Sequence, residues 1–483
     1  MASVYFHPDI SNQDLKIIES KYNKKDTGYL INKASDFICE ILSKKIKKKQ
    51  KIVFVCGPGS NGLDGIYSSY KLNSLGYDIS IFLLNRNNDS AIKKLNISNK
   101  LIKELNLKNF DYVVDCMFGY GLNRELTESH IELVREINES KAYVYSIDIP
   151  SGLNPNTGKL CPVSIKCNTL ISLLNYKRGL FTNQGRDTWD ELVHTKLVSE
   201  NIDSDDYLIS ANHLFSGYYT QKQFNVEKIH AQHKKSNGIS CIISGQHPYH
   251  GALILSCKAS IKVGTKYLHV YTDDEYAHSL PMIIPEIIAL PFSEKDFLNN
   301  LSKYRNILIG PGTDDISDKF VEIISKNLDN FDSIIVDAGA LKYLKKYNLF
   351  SDKLIITPHP GEAADLLNVN TEEIQLDRYK SAKALHQTYK CTVILKGSGT
   401  VIYDGKKFYT CMDGNYRMAV AGMGDTLAGI LLYELSSSRS ILHACIKAVT
   451  YHSYSADYLL NNSKIKSYLP SMIPDIYDHL TNI

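Results

Sequence analysis

KIVFVCGPGSNGLDG, residues Lys51–Gly65, decides the fold of the first half of the chain. Ile52 to Val55 are apolar without a break, which suits a strand buried on both faces. Gly57, Gly59 and Gly62 then turn the chain, and a helix is expected from about Gly62 to Leu75. Strand, glycine turn and helix in that order make the first step of a parallel sheet. Working outward, DISIFLL (Asp78–Leu84), DYVVD (Asp111–Asp115), AYVYSIDIP (Ala142–Pro150) and NTLISLL (Asn168–Leu174) read as further strands. A polar helix is expected near Ala91–Leu105. Upstream, Ser11 and Asp14 resemble a capping box opening a helix toward Tyr22, and Phe37, Ile38, Ile41 and Leu42 mark the buried stripe of the next one. From about Asn201 to Val226 the alternation weakens into polar, Tyr-rich sequence. It restarts with ISCIIS, KYLHV, NILIG, SIIVD, KLIIT and TVILK, then closes in a largely helical segment. Two α/β domains are expected, residues 1–212 and 213–483, the first with three α/β/α layers.

Composition narrows the function. At 483 residues the chain exceeds one typical core. A net charge of +3 gives no reason to expect nucleic acid, and the basic run KKIKKKQK (Lys44–Lys51) reads as a solvated helix end. The ten cysteines form no CxxC pair, which argues against structural zinc and a disulfide scaffold. MASVYFHPDISNQDLK lacks a basic-then-apolar leader, and no apolar run approaches the roughly 20 residues of a membrane helix. A soluble, cytoplasmic protein without membrane or nucleic-acid partners is expected.

The loops after the strands carry the chemistry. Gly57, Gly59 and Gly62 match G-x-G-x-x-G formally, but Pro58 interrupts it and no acid ends the second strand. No Lys-Ser/Thr follows, so a Walker A loop is excluded. Oxygen-bearing side chains stand out instead: Ser60, Asn61 and Asp64, then Asp115, then Asp148 and Ser151 at a third strand end. Amide, carboxylate and hydroxyl oxygens from adjacent loops suit a hard cation. A lone strand-end Asp is more often a turn residue, but three in one sheet weaken that reading.

In the second half, AGMGDTLAG (Ala421–Gly429) sets one carboxylate, Asp425, among glycines where an apolar helix begins. Asp425 reads either as a helix cap or as a base beside bound phosphate. IGPGTD (Ile309–Asp314), VDAGAL (from Val336), TPHPGEAADLL (Thr357–Leu367) and LKGSGTVI (Leu395–Ile402) precede it in order. Singly, His359 is a loop residue, Lys396 a surface charge, and Gly397 with Gly399 a hairpin turn; the ordered set is more specific than any member.

CGPGSNGLDG, FGYGLNREL and SIDIPSG, with the entry helix LINKAS, resemble the Rossmann-like N-terminal domain of NAD(P)H-hydrate epimerases over roughly residues 1–210. That family usually reads GPGNNGGDG, so Ser60 and Leu63 are departures. The resemblance implies that Asn61, Asp115 and Ser151 hold potassium. It implies substrate contacts from Ser60, Asn61, Gly62, Leu63 and Asp64, and from Gly119, Tyr120, Gly121, Leu122, Asn123, Arg124 and Glu125. Asp148 would touch the substrate and act as a catalytic group, with Asp115 a second candidate.

The second-half motifs resemble the ribokinase-like NAD(P)H-hydrate dehydratases over roughly residues 225–483. Lys396, Gly397, Ser398, Gly399, Thr400 and Gly424 would bind ADP or ATP with magnesium, ADP being favoured. Ala252, Gly312, His359 and the catalytic Asp425 would face the hydrated dinucleotide. Where that family reads DADAL, this chain has Asp337-Ala-Gly339-Ala-Leu, and GPGTD replaces GPGLG. The joint expectation is a bifunctional repair enzyme that epimerises R and S hydrates of NADH and NADPH, then dehydrates the S form, working as a homo-oligomer. The alternative is a vitamin-precursor kinase with a non-catalytic N-terminal binding or dimerisation module.

Overall fold

In the computed structural model the apolar runs become strands of two parallel arrays, each in its own compact unit. The structure describes residues 3–9, 17–18, 20–22, 28–122, 124–198, 206–212, 220–223, 238–315, 317–438, 440–463, 467 and 469–482. The capping-box residues Ser11 and Asp14 and the site candidate Asn123 lie outside them.

The first unit comprises Pro8–Asp206. Its six strands are all parallel, in the order Asp78–Leu83, Lys51–Cys56, Tyr112–Cys116, Tyr143–Ile147, Cys167–Leu173, Trp189–Thr195. Helices Tyr29–Lys45 and Ser60–Ser74 bring Ile38, Leu42, Ile66 and Leu72 into one core with Ile52, Phe54 and Val114. Val53, Val55 and Val113 are fully buried too, so both faces of the central strands are covered. The polar helix expected over Ala91–Leu105 is shorter: it spans Asp89–Lys94, and Asn96 takes a left-handed φ of 53° just after it. Short 3-10 turns at Ser98–Lys100 and Leu107–Asn109 carry the chain onward.

The second unit comprises Tyr207–Ile483 together with Met1–His7. Strands Ile288–Pro291, Leu268–Thr272, Ile239–Ile243, Tyr304–Ile309, Ser333–Val336, Leu354–Ile356 and Thr392–Leu395 run parallel in that spatial order. Side chains alternate between two cores. Ile242, Leu308, Ile335, Ile355 and Ile394 point to one, while Ile243, Ile307, Ile334, Leu354 and Val393 point to the other. The sheet continues through antiparallel Val401–Tyr403 and Phe408–Cys411, then Asp206–Ser210, Ser3–Asp9 and Thr220–Gln223. The division at 212/213 follows chain position alone. The structure differs by adding the first strand to the second unit, where Val4 and Phe6 share a core with Ile209 and Tyr409. Among the described residues no helix is long and apolar enough to cross a membrane.

Helices His250–Lys262 and Met423–Ser437 approach closely at Gly429, where an added Cβ would lie 2.2 Å from the Ser256 carbonyl oxygen. Helix propensity alone favours Gly429→Ala by about 1 kcal/mol. We expect overpacking to reverse that sign and destabilise the second unit by about 1–3 kcal/mol, measured by urea unfolding.

Candidate active sites

In the first unit the strand order reverses at Lys51–Cys56, so the loops after Cys56 and Cys116 part and open a crevice. A cavity of about 420 Å³ lies there, walled by Leu30 and Ala34 from the entry helix. Ser60, Asn61 and Asp64 line it from the first loop, Gly119, Tyr120, Gly121, Leu122 and Arg124 from the second, and Asp148 from the third.

Asp115 and Ser151 are fully buried and lie outside that lining. The Asp115 carboxylate accepts from Ser151 Oγ at 2.6 Å, Ser151 N at 2.9 Å, Ser146 Oγ at 2.8 Å and Met117 N at 3.1 Å. Burial pushes its pKa up against the opposing pull of those hydrogen bonds. Ser151 Oγ also accepts from Phe118 N at 2.9 Å, so one hydroxyl ties two loops together. Asn61 is buried; its Nδ2 donates to the Ile147 carbonyl at 3.1 Å, whereas its Oδ1 has no hydrogen-bond partner among the described residues. An orphaned buried carbonyl is costly, and a cation is one ligand that would satisfy it.

Asp148 follows the strand Tyr143–Ile147 with a left-handed φ of 71°, uncommon for a side chain other than glycine. Tyr120 N donates to its Oδ2 at 3.0 Å. Lys177, buried, donates to Asp148 Oδ1 and to the Leu173 carbonyl. A carboxylate gripped on both oxygens is held in one orientation toward the cavity.

Gly62 and Leu63 lie outside that cavity lining. A Cβ at Gly62 would sit 2.0 Å from the Gly57 carbonyl oxygen, so Gly62 serves the tight loop. Leu63 packs against the apolar core, and its departure from glycine leaves the cavity wall unchanged. Glu125 is exposed, 3.9 Å from Lys159.

In the second unit the reversal falls at Ile239–Ile243. Gly312 and Ala252 meet at this point: a Cβ at Gly312 would lie 3.0 Å from the Ala252 Cβ. Across the strand ends, Lys396 Nζ donates to Asp337 Oδ1 at 2.7 Å and stands 3.9 Å from Glu362 Oε2. Lys396 is therefore no surface charge. Burial opposes its ammonium, but Asp337 and Glu362 outweigh burial and hold its pKa above the usual value. A Cβ at Gly424 would lie 3.3 Å from the same Nζ. Asp425 is the third residue of the helix Met423–Ser437, whose cap is Gly422, so the helix-cap reading of Asp425 is set aside. Burial pushes Asp425 up to about 6, with Asp337 and Glu362 adding repulsion and Lys396 opposing.

His359 has a local role. Its Nδ1 accepts from Gly361 N and Glu362 N, while Glu362 Oε2 accepts from His359 N at 2.7 Å, a capping box for the helix Pro360–Leu367. Gly397 and Gly399 do lie in the hairpin between Thr392–Leu395 and Val401–Tyr403, with left-handed φ of 140° and 63°. Ser398 is exposed on that hairpin, and Thr400 Oγ1 closes it by donating to the Gly397 carbonyl at 3.2 Å. Sequence reasoning missed Lys177, Glu362 and Arg378. Lys177 and Arg378 are single charged residues in ordinary-looking stretches, and Glu362, though inside the quoted TPHPGE run, gives no sign there of its distant partner Lys396.

A family model described as NAD(P)H-hydrate dehydratase matches residues 240–478, and one described as YjeF-related protein N-terminus matches residues 28–179. The bifunctional NAD(P)H-hydrate repair enzyme Nnr of Vibrio cholerae is 30% identical over 77% of this chain and 74% of its own. The chain belongs to the bifunctional NAD(P)H-hydrate repair enzymes. The Coxiella burnetii member of this repair family is 27% identical over 99% of both chains. Among solved structures, the ADP/ATP-dependent NAD(P)H-hydrate dehydratase of Bacillus subtilis, co-crystallised with ATP and magnesium, is 26% identical, with a TM-score of 0.47 over 53% of this chain and 93% of that one. The repair-family match spans both halves, which favours two activities over a small-molecule kinase with an inert first domain.

Gly339, which replaces the acid of DADAL, has no room for a side chain: a Cβ would lie 1.8 Å from the Thr313 carbonyl oxygen. We expect Gly339→Asp to displace the Gly310–Asp314 loop, cost about 1–3 kcal/mol in urea unfolding, and give no gain in dehydration rate.

Proposed function

We propose that this chain restores hydrated NADH and NADPH at two sites, an epimerase site in residues 8–206 and a nucleotide-dependent dehydratase site in residues 207–483. The observation that carries the proposal is Asp425, a carboxylate near a helix start, beside Lys396, Asp337 and Glu362, with its pKa pushed up to about 6. Such a group is a base near neutral pH and needs no other partner to explain it.

In the second site Asp425 takes the proton from the C6 hydroxyl as that oxygen attacks the terminal phosphoryl group of ADP and displaces AMP, or of ATP and displaces ADP as the alternative. The Lys396–Thr400 hairpin and Gly424 hold the nucleotide, while Ala252, Gly312 and His359 border the hydrate. Hydroxide is a poor leaving group and phosphate a good one. The phosphate leaves from C6, a proton leaves from C5, and the C5–C6 double bond returns. Backbone N–H groups at the start of the helix Met423–Ser437 stabilise charge on the transferring group. Three carboxylates around Lys396 leave an excess of negative charge that suits a divalent cation, so Asp337 and Glu362 are the residues that would hold magnesium. When bound, magnesium supplies charge neutralisation between phosphate oxygens.

In the first site Asp148 takes the proton of the C6 hydroxyl as C6=O forms and the C6–N1 bond opens, its electron pair going to N1. Asp148 returns a proton to that oxygen as N1 re-closes on the opposite face of C6, so that the R and S forms interconvert, with Lys177 and Tyr120 N holding the carboxylate's orientation. The orphaned Asn61 Oδ1, with Asp115 and Ser151, fits a potassium ion, which when bound supplies a fixed positive charge beside the substrate oxygens. Ten buried cysteines, all free thiols, support work in the reducing cytoplasm.

Asp425→Asn should lower the dehydration rate by about 10³-fold or more while the epimerisation rate stays at the wild-type value. Because Asp425 acts deprotonated, dehydratase kcat/KM should rise with pH through about 6 and then level off, and the rise should vanish in Asp425→Asn. A wild-type rate or an unchanged pH profile in that variant would remove Asp425 from the mechanism. Asp148→Ala should slow R-to-S equilibration by about 10²-fold or more, followed by separating the two hydrates, with dehydration of the S form unchanged.

A further inference from the structure

Arg378 opens the helix Arg378–Tyr389, and its side chain is among the most deeply buried of the large ones in the chain. Among the described residues its hydrogen bonds go to carbonyl oxygens and to no carboxylate. Its Nη2 donates to the Leu395 carbonyl at 2.9 Å and to the Lys396 carbonyl at 3.0 Å, and its Nη1 to the Ser398 carbonyl. The remaining carbonyl of the run, Gly397, accepts from Thr400 Oγ1. All four main-chain oxygens from Leu395 to Ser398 are thus engaged, three of them by one guanidinium. Burial pushes Arg378 down only to about 10, so it stays cationic at neutral pH.

Those carbonyls belong to the hairpin that the functional proposal gives to the nucleotide. Carbonyl oxygens carry partial negative charge and repel a polyphosphate. Because Arg378 is buried, the three oxygens bonded to it point into the core and away from anything approaching the hairpin. The fork of the guanidinium is what reaches three acceptors at once; a lysine ammonium is a single point of donation. Gly397 completes the fit, since a Cβ there would lie 3.0 Å from Nη2 and 3.1 Å from Nη1, at a left-handed φ of 140°.

We propose that Arg378 is a positioning residue for the phosphoryl donor, holding the carbonyls of Leu395, Lys396 and Ser398 inward so that the hairpin accepts a nucleoside polyphosphate. This rests on the reading of Lys396–Thr400 as the nucleotide hairpin.

The test compares the full chain with Arg378→Lys. ADP binding is titrated calorimetrically, and the KM values for nucleotide and for hydrate are measured separately. The nucleotide Kd and KM should rise about tenfold or more, while the hydrate KM stays within about twofold. The epimerase rate should be unchanged. An unaltered nucleotide Kd, or nucleotide and hydrate KM values rising in parallel, would overturn the proposal. Should Arg378→Lys fail to fold, Gly397→Ala keeps the buried charge and crowds the guanidinium off its acceptors. It should give the same nucleotide-selective loss, and equal loss toward both ligands would overturn the proposal. Thr400→Val separates the two layers of inference. If it weakens ADP binding and Arg378→Lys does not, the Arg378 proposal alone fails; if neither weakens it, the nucleotide hairpin itself is wrongly placed.

Discussion

A parallel sheet covered on both faces has nowhere to put a charged side chain except beyond the ends of its strands. Both units follow this constraint, with Asp115 as a hydrogen-bonded exception at the penultimate position of Tyr112–Cys116. Ile52 to Val55 and Ile307 to Ile309 are fully buried, and the loops that follow turn on glycine and proline before polar residues such as Ser60 and Asp314. Reversal of strand order then decides which of those ends part to make a crevice. Asn61 and Asp148 border one crevice; Gly312 and Ala252 mark the other.

Having gathered charge at strand ends, each unit fixes it with a lysine, buried in the first unit and half-buried in the second. Lys177 grips Asp148, and Lys396 grips Asp337 with Glu362 close by. The outcomes differ. Asp148 is tied on both oxygens, by Lys177 and by Tyr120 N. Asp425 stands among other acids, and burial with their repulsion moves its titration toward neutrality. The first arrangement orients a carboxylate; the second tunes one. Low dielectric makes both effects larger than the same groups would show at a surface.

The sequence shows the strands and the loops clearly because both signals are local. An apolar run such as Ile52–Val55 needs no partner to be read, nor does a glycine turn followed by a helix. The motif loops place Ser60, Asn61, Asp64 and Asp148 around one cavity, as their spacing suggests. What escapes is what depends on distance along the chain. Lys177 lies 29 residues beyond the carboxylate it holds, and Arg378 lies 17 to 20 residues before the carbonyls it binds. Leu63 and Gly339 look like weaknesses against the family patterns. In the fold Leu63 turns to the core, and Gly339 sits where Thr313 leaves no space. The strand Trp189–Thr195 escapes because its Asp190 and Glu191 are exposed, so it lacks the apolar run that marks the other strands of its sheet.

The first strand, Ser3–Asp9, has a consequence for how the molecule is made. It lies between Asp206–Ser210 and Thr220–Gln223, so the second unit takes in residues 1–7 as well as 207–483. The first unit is topologically an insertion, not a bead that precedes another bead. Ribosomal synthesis delivers that opening strand some two hundred residues before its neighbours exist, and its backbone groups must wait for them. The second unit's sheet is therefore completed by one late event, and a gene cut at the apparent boundary would strand a β-edge on one fragment and leave a gap in the other.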